Sequence, residues 1–258
     1  MPEPTLLAIM LVLGVTIFAS FATGFSGFGS TLLIMAGLSW YVPEPERLSA
    51  VCMLIGIVVM GSIFLISRLD SPIDWGAVSL LYIGLLPGAP LGYLFIQKHG
   101  ASPVFLVILG MVLIVFSVNG LVRPKFPRVH FGWALPLGFL SGFLSGAFIS
   151  GGPPMVLYLY SREQDPRRAV VSLQTIFLMS MATRIIITER IGPGLSSGVW
   201  GWFIGVLPVV VVATLIGRYY SRRVSAERFT QAVYMLIGIG GTMNIMKGLF
   251  ALITEFSG

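Results

Sequence analysis

Apolar residues in this chain fall into long unbroken runs, unlike the one-sided or alternating patterns of elements that face water. Eight such runs can be marked: Thr5–Ala22, Leu48–Ser67, Trp75–Gln97, Pro103–Leu121, Phe131–Leu144, Ala169–Ile187, Val199–Ile216 and Phe229–Ile245. At 1.5 Å per residue a bilayer is spanned by about 20 residues, so the runs predict membrane helices. Two shorter apolar pieces, Ser30–Val42 and Pro153–Tyr160, are only about half a span long, and each follows a glycine-rich break. Turn-forming and charged residues separate the runs, as in Val42–Arg47, Arg68–Asp74, Arg123–His130 and Arg162–Arg168. No linker is long or of low complexity, which predicts one membrane domain without a soluble appendage.

The chain also repeats itself. Phe21-Ala22-Thr23-Gly24 matches Phe143-Leu144-Ser145-Gly146 at an offset of 122 positions, and the same offset sets Gly29 on Gly151. Further on, Pro45-Glu46-Arg47 aligns with Pro166-Arg167-Arg168, Gly84-Leu85-Leu86-Pro87 with Gly205-Val206-Leu207-Pro208, and Leu91-Gly92 with Ile216-Gly217. Asn119 pairs with Asn244 in the same way; both are expected to cap helix ends. The expected fold is an all-α polytopic membrane protein of two homologous repeats, each a glycine-broken, re-entrant-like segment followed by three transmembrane helices. The first repeat takes residues 1–122, a connecting loop 123–130 and the second repeat 131–258.

Charge distinguishes two topologies. If each broken segment crosses once, the sixteen Lys and Arg residues divide seven to nine and orientation is undecided. If each dips in and returns on the same side, five face one side (Arg47, Lys98, Arg184, Arg190 and Lys247) and eleven the other. The positive-inside rule favours the second arrangement, in which the halves are inverted about the membrane plane. The length of Thr5–Ala22 keeps the eight-crossing alternative open.

Composition agrees: 56% of residues are hydrophobic and 10% charged, against about 25% charged in soluble domains. The formal net charge of +6 resides in short loops, where it orients helices, and is not a nucleic-acid footprint. Cys52 lies in an apolar run with nothing of metal-ligand spacing around it. The opening Met1-Pro2-Glu3-Pro4 lacks a basic region, so the first run is expected to remain as a membrane segment.

The breaks carry the chemistry. Between Thr23 and Thr31, Gly24, Gly27 and Gly29 each cost a helix about 1 kcal/mol relative to Ala. In Ser150-Gly151-Gly152-Pro153-Pro154 the prolines remove two donors and suit the opening of a new helix. Broken backbone inside a bilayer must line protein or a wet cavity. A half-helix starting at Ser30 or Pro153 would point free N–H groups and a positive dipole end into that cavity, a place that binds anions without a formal charge. The candidate substrate-binding residues are therefore Gly24, Ser26, Gly27, Gly29, Ser30 and Thr31 from the first break and Ser150, Gly151, Gly152 and Pro153 from the second. Gln174 is a polar candidate inside its helix, and Arg184 is the one cation within an apolar segment, where snorkelling to the interface competes with a role in binding.

All ten Asp and Glu residues fall in loops or near segment ends, as do His99 and His130. No intramembrane proton relay is evident, and a monoanion leaving a negative-inside cell gains about 2.3 kcal/mol per 100 mV. Nothing supplies the nucleophile, paired carboxylates or metal ligands of an enzyme, so no catalytic residue, metal or cofactor is expected. The expected partners are a small anion and the lipid bilayer; a homo-oligomer is compatible with the sequence.

With its breaks in view, the chain resembles the TauE/SafE sulfite-exporter family from about Leu6 to Gly248. The resemblance rests on Gly24–Ser30 with the apolar Thr31–Ala36 behind it, on Ser150-Gly151-Gly152-Pro153-Pro154, on the Pro-x-Arg elements at Pro45 and Pro166, and on Gly-x-x-Pro at Gly84 and Gly205. It implies a permease of a bacterial-type inner membrane that moves sulfite or small organosulfonates, mostly outward. A cation- or proton-coupled uptake carrier for a small organic or sulfur anion is the alternative. The first break reads Gly27-Phe28-Gly29-Ser30 where many members carry a longer glycine cluster.

Overall fold

A computed structural model describes residues 6–31, 33–34, 45–68, 71–99, 103–122, 129–149, 151–162, 166–192 and 197–257. Within these the chain is helical: α1 (Leu6–Ser26), α2 (Pro45–Arg68), α3 (Trp75–His99), α4 (Pro103–Val122), α5 (Ala134–Phe148), α6 (Gly152–Arg162), α7 (Pro166–Arg190), α8 (Ser197–Ser221) and α9 (Ala226–Ser257). A helix satisfies its own backbone, which is the condition for crossing hydrocarbon. Pro45, Pro103 and Pro166 open their helices, where a missing N–H costs nothing. Asp74 caps α3, its carboxylate accepting from the Ala77 N–H at 3.1 Å. Five helices among the described residues are long and apolar enough to cross a membrane. The surface fits that solvent: Leu65 and Val115 are 69% exposed, whereas Thr16, Ser20, Ser26, Ser30, Ser141 and Gln174 are buried.

Small residues decide which helices meet. Gly84, Gly88 and Gly92 on α3 and Gly138, Gly142 and Gly146 on α5 form matching four-residue stripes, and the two helices press backbone to backbone along them. A side-chain carbon added at Gly138, Gly142 or Gly146 would overlap Leu81, Leu85 or Ala89 in turn, so α3 and α5 run in the same direction. α4 and α9 run antiparallel, with Gly110 against Gly241, Gly248 against Pro103, and the Ser117 hydroxyl donating to the Tyr234 carbonyl at 2.7 Å.

The α1–α8 seam uses equivalent positions. Gly24 abuts Thr214 as Gly146 abuts Ala89, and Gly217 abuts Phe21 as Gly92 abuts Phe143. One turn back the likeness fails, because Ala213 and Val209 stand where Gly88 and Gly84 stand on α3. Their side chains hold the helices apart and leave an apolar groove of about 640 Å³ lined by Gly14, Ile17, Phe18, Val209, Val212 and Ala213. Gly205, matched to Gly84 by sequence, would meet nothing within 4 Å. The alignment slips there by one helical turn.

The second broken segment is a hairpin. The Ser141 hydroxyl donates to the Gly151 carbonyl at the tip. At the other end the Tyr158 hydroxyl donates to the Phe131 carbonyl at 3.3 Å, and the Arg162 guanidinium lies 4.9 Å from the Phe131 ring centre. So α6 runs back along α5. α7 then runs with α3: the Asp74 N–H donates to Ser172 at 2.9 Å, Tyr82 and Thr183 share a hydrogen bond at 3.0 Å, and Tyr93 lies beneath Arg184. Because α3 also runs with α5, the chain enters along α5, returns along α6 and crosses along α7. In the first half the corresponding return is described only at its start, where helix resumes at Ser30. Asn244, expected at a helix end, lies inside α9 and donates to the Gly240 carbonyl at 2.9 Å; the Asn119 side chain is outside the described residues.

Candidate functional site

Both breaks are built on a left-handed residue. α1 ends with the Gly27 N–H donating to the Thr23 carbonyl at 2.7 Å, and α5 ends with the Ile149 N–H donating to the Ser145 carbonyl at 3.0 Å. Gly27 has φ 85° and Ile149 φ 54°. Such geometry ends a helix by bonding its last carbonyls, and glycine adopts it freely whereas Ile costs roughly 1–2 kcal/mol. Helix then resumes at Ser30 and at Gly152. Gly29, at φ 106°, has no atom within 4 Å of where a side-chain carbon would sit, so the backbone opens onto free space there.

The two restarts meet around one buried cavity of about 30 Å³. Phe28, Gly29 and Thr31 line it from the first break, and Ile149, Gly151, Gly152 and Pro153 from the second. Met60 on α2, Ser145 on α5, and Phe177, Ser180 and Met181 on α7 complete it. None of these residues carries a charge. The Ser145 and Ser180 hydroxyls lie 3.2 Å apart across the wall. Phe28 and Phe177 flank Gly152 on two sides. Pro153 and Pro154 bring no N–H to the start of α6, which leaves those of Gly151 and Gly152 among the described residues, beside the positive end of the helix dipole. A space of about 30 Å³ leaves room for little more than water, so the site is narrow in this conformation.

The sequence-derived candidates separate into groups. Gly29, Thr31, Gly151, Gly152 and Pro153 line the cavity. Ser30 is fully buried with a hydroxyl that has no hydrogen-bond partner among the described residues. Gly27 is held from the side: Gln174 donates its amide to the Gly27 carbonyl at 2.5 Å, and its own carbonyl oxygen has no partner among the described residues. Tyr160 adds a 3.4 Å hydrogen bond to the Ser26 carbonyl. Ser26 serves the turn itself, its hydroxyl 2.7 Å from the Ala22 carbonyl and 2.8 Å from that of Phe28. Gly24 belongs to the α1–α8 seam and not to the cavity wall. Ser150 lies outside the described residues. Arg184 is buried over the Tyr93 ring at 4.4 Å, one turn beyond the cavity.

Sequence reasoning missed Phe28, Met60, Ser145, Ile149, Phe177, Ser180 and Met181. Ser145 and Ser180 had a usable signal, as hydroxyls on the faces next to the second break; the apolar ones had none. Among known proteins, residues 12–243 match the family described as sulfite exporter TauE/SafE. Over 223 residues the chain is 26% identical to a probable sulfite/organosulfonate exporter TauE of Cupriavidus necator, covering 84% of this chain and 86% of that one. No solved structure matches.

Proposed function

We propose, since the chain belongs to the sulfite exporter TauE/SafE family, that this multi-pass membrane protein is a permease moving sulfite or small organosulfonates outward through a site built from its two helix breaks. The observation that carries this reading is the convergence of two corresponding breaks, one from each half, on one cavity whose described lining residues carry no formal charge. Backbone N–H groups at the restarts, the free Ser30 hydroxyl and the Ser145–Ser180 pair supply hydrogen-bond donors. Helix dipoles supply the favourable potential. Phe28 and Phe177 keep water out, and a site of neutral dipoles binds an oxyanion weakly enough to release it.

The packing supports reading the halves as inverted, with re-entrant hairpins meeting near the midplane. α1–α8 and α3–α5 use equivalent glycines, and α4 meets α9, its own counterpart, antiparallel. Outward movement is supported by the likeness to the Cupriavidus necator protein, a probable exporter, and by the gain an anion makes in leaving a negative-inside cell. By the positive-inside rule, the end bearing Arg162, Arg222 and Arg223 faces the cytoplasm, as expected for an inner-membrane protein.

Liposomes containing the purified protein are expected to release sulfite or ethanesulfonate down an inside-negative potential without a sodium or proton gradient. Gly152→Leu fills the space between Phe28 and Phe177 and is expected to abolish flux. Flux equal to that of empty liposomes would refute the proposed function, and flux that persists in Gly152→Leu would refute the site.

A further inference from the structure

One side chain lies outside the cavity and has no structural task that accounts for it. Arg184, in the last two turns of α7, is 5% exposed, and its Nε and Nη1 have no hydrogen-bond partner among the described residues. A buried cation without a partner is costly in protein and more so in a membrane. Its one compensation is the Tyr93 ring, whose centre lies 4.4 Å from the guanidinium carbon. That ring is fixed in turn: Gln97 donates to the Tyr93 hydroxyl at 3.1 Å, and Gly192 leaves the hydroxyl its room. Thr188, one turn beyond Arg184, is also buried with an unpartnered hydroxyl.

No described carboxylate stands by. Asp74 is at the far end of α3, and Glu189 is exposed at the end of α7. Among the described residues the charge thus has an aromatic face beside it and no carboxylate for a partner. Its place on α7 is orderly: Phe177, Ser180 and Met181 line the break cavity, Arg184 follows one turn later and Thr188 one turn after that. Arg184 therefore lies between the cavity and the membrane face at which α3 and α7 both end.

We propose that Arg184, with Thr188, is a second anion-binding station, which takes a singly charged oxyanion after it leaves the break cavity. It rests on the reading of the breaks as the primary site and adds what that site lacks, a formal charge on the exit side. Two stations in series, one neutral and one charged, let an anion bind well enough to enter and pass on without being trapped.

The test uses the whole chain in detergent, with thermal unfolding read in chloride, sulfite and ethanesulfonate. In the wild type, sulfite or ethanesulfonate is expected to raise the midpoint, because a ligand that binds only the folded form stabilises it. Arg184→Gln is expected to unfold no earlier than the wild type without these anions, because it removes an uncompensated charge. It is also expected to lose most of the anion-induced rise, with affinity down about ten- to a hundredfold, the worth of a charged hydrogen bond. Gly152→Leu, which closes the cavity, should keep part of the rise, and Gly152→Leu with Arg184→Gln should lose all of it. An Arg184→Gln protein that is less stable without anion yet keeps the full rise would overturn the proposal, leaving Arg184 as a packing partner of Tyr93. Wild-type liposomes that pass no sulfur anion, with the rise still lost in Arg184→Gln, would defeat the transport reading while the station stands.

Discussion

Gly27 and Ile149 hold the same position in the two halves: each is left-handed and each returns its N–H to the carbonyl four residues back, Thr23 or Ser145. One is the residue that adopts this geometry without strain, and the other is among those that resist it most. Ile149 persists because its side chain is 3% exposed and packs with Leu54 and Met181 beside the cavity. Two substitutions at this site follow an inverted order. Ile149→Ala loses the packing and keeps the strain, whereas Ile149→Gly loses the packing and releases it. The glycine variant is expected to be the more stable by about 1 kcal/mol, the reverse of the usual helix ranking. Thermal or denaturant unfolding of the two proteins measures it, and an alanine variant equal to or better than the glycine one would contradict the assigned backbone geometry.

The glycine stripes give a second ordering. Gly88→Ala or Gly142→Ala drives a carbon into the backbone of the facing helix and is expected to cost about 1–3 kcal/mol. Gly205→Ala meets nothing, so it should stabilise by roughly 0.5–1 kcal/mol through helix propensity. Melting curves of the three variants decide the matter. A Gly205→Ala protein that falls apart as readily as Gly142→Ala would show that the α8 surface at that position is covered.

Gln174 ties the second half to the first break through the Gly27 carbonyl. Gln174→Leu removes the donor and leaves that carbonyl short of a partner, at an expected cost of about 1–3 kcal/mol. Gln174→Glu sets a carboxylate against the same carbonyl and should be worse than leucine for both stability and anion flux, although it is the closer in shape. Expression, unfolding and liposome flux of the pair would test this, and a glutamate variant that transports like wild type would remove Gln174 from the site.

Sequence showed the architecture well because the features that build it are glycine, proline and long apolar runs, which act locally. The breaks at Gly24–Ser30 and Ser150–Pro154 and the opening of α4 at Pro103 could be placed to within a residue or two. By contrast, α2 and α7 open at Pro45 and Pro166, three residues ahead of the apolar runs and inside segments that read as turns. What lines the cavity could not, since Phe28, Met60, Phe177 and Met181 are ordinary apolar residues whose side is set by packing. Gly24 reads as part of the break, yet its contact with Thr214, almost two hundred residues away, makes it part of a seam. Arg184 was ambiguous because its helix continues to Arg190 and because Tyr93, which covers it, lies on another helix. The stripe Gly84, Gly88 and Gly92 facing Gly138, Gly142 and Gly146 went unread, although its four-residue spacing is a known mark of close helix approach.

Topology offers the most direct check on the whole arrangement. In a hairpin the chain before α5 and the chain after α6 lie on one face, and the contacts of Phe131 with Tyr158 and Arg162 bring those two ends together. Single cysteines at His130 and Glu163, in a protein whose native Cys52 is replaced by Ala, are therefore expected to react with an impermeant thiol reagent from the same side. If the halves are inverted, cysteines at Glu3 and Glu44 should react together from the opposite side. A broken segment that crosses completely would split the pair that flanks it. The positive-inside count assigns the His130 pair to the cytoplasm, so intact cells should label the Glu3 pair and leave the other for inverted vesicles. Splitting of the His130 pair would remove the hairpin; splitting of the Glu3 pair alone would keep it and end the equivalence of the halves. Either result would also relocate Arg184, whose place on the exit side depends on α3 and α7 ending together at the outer face.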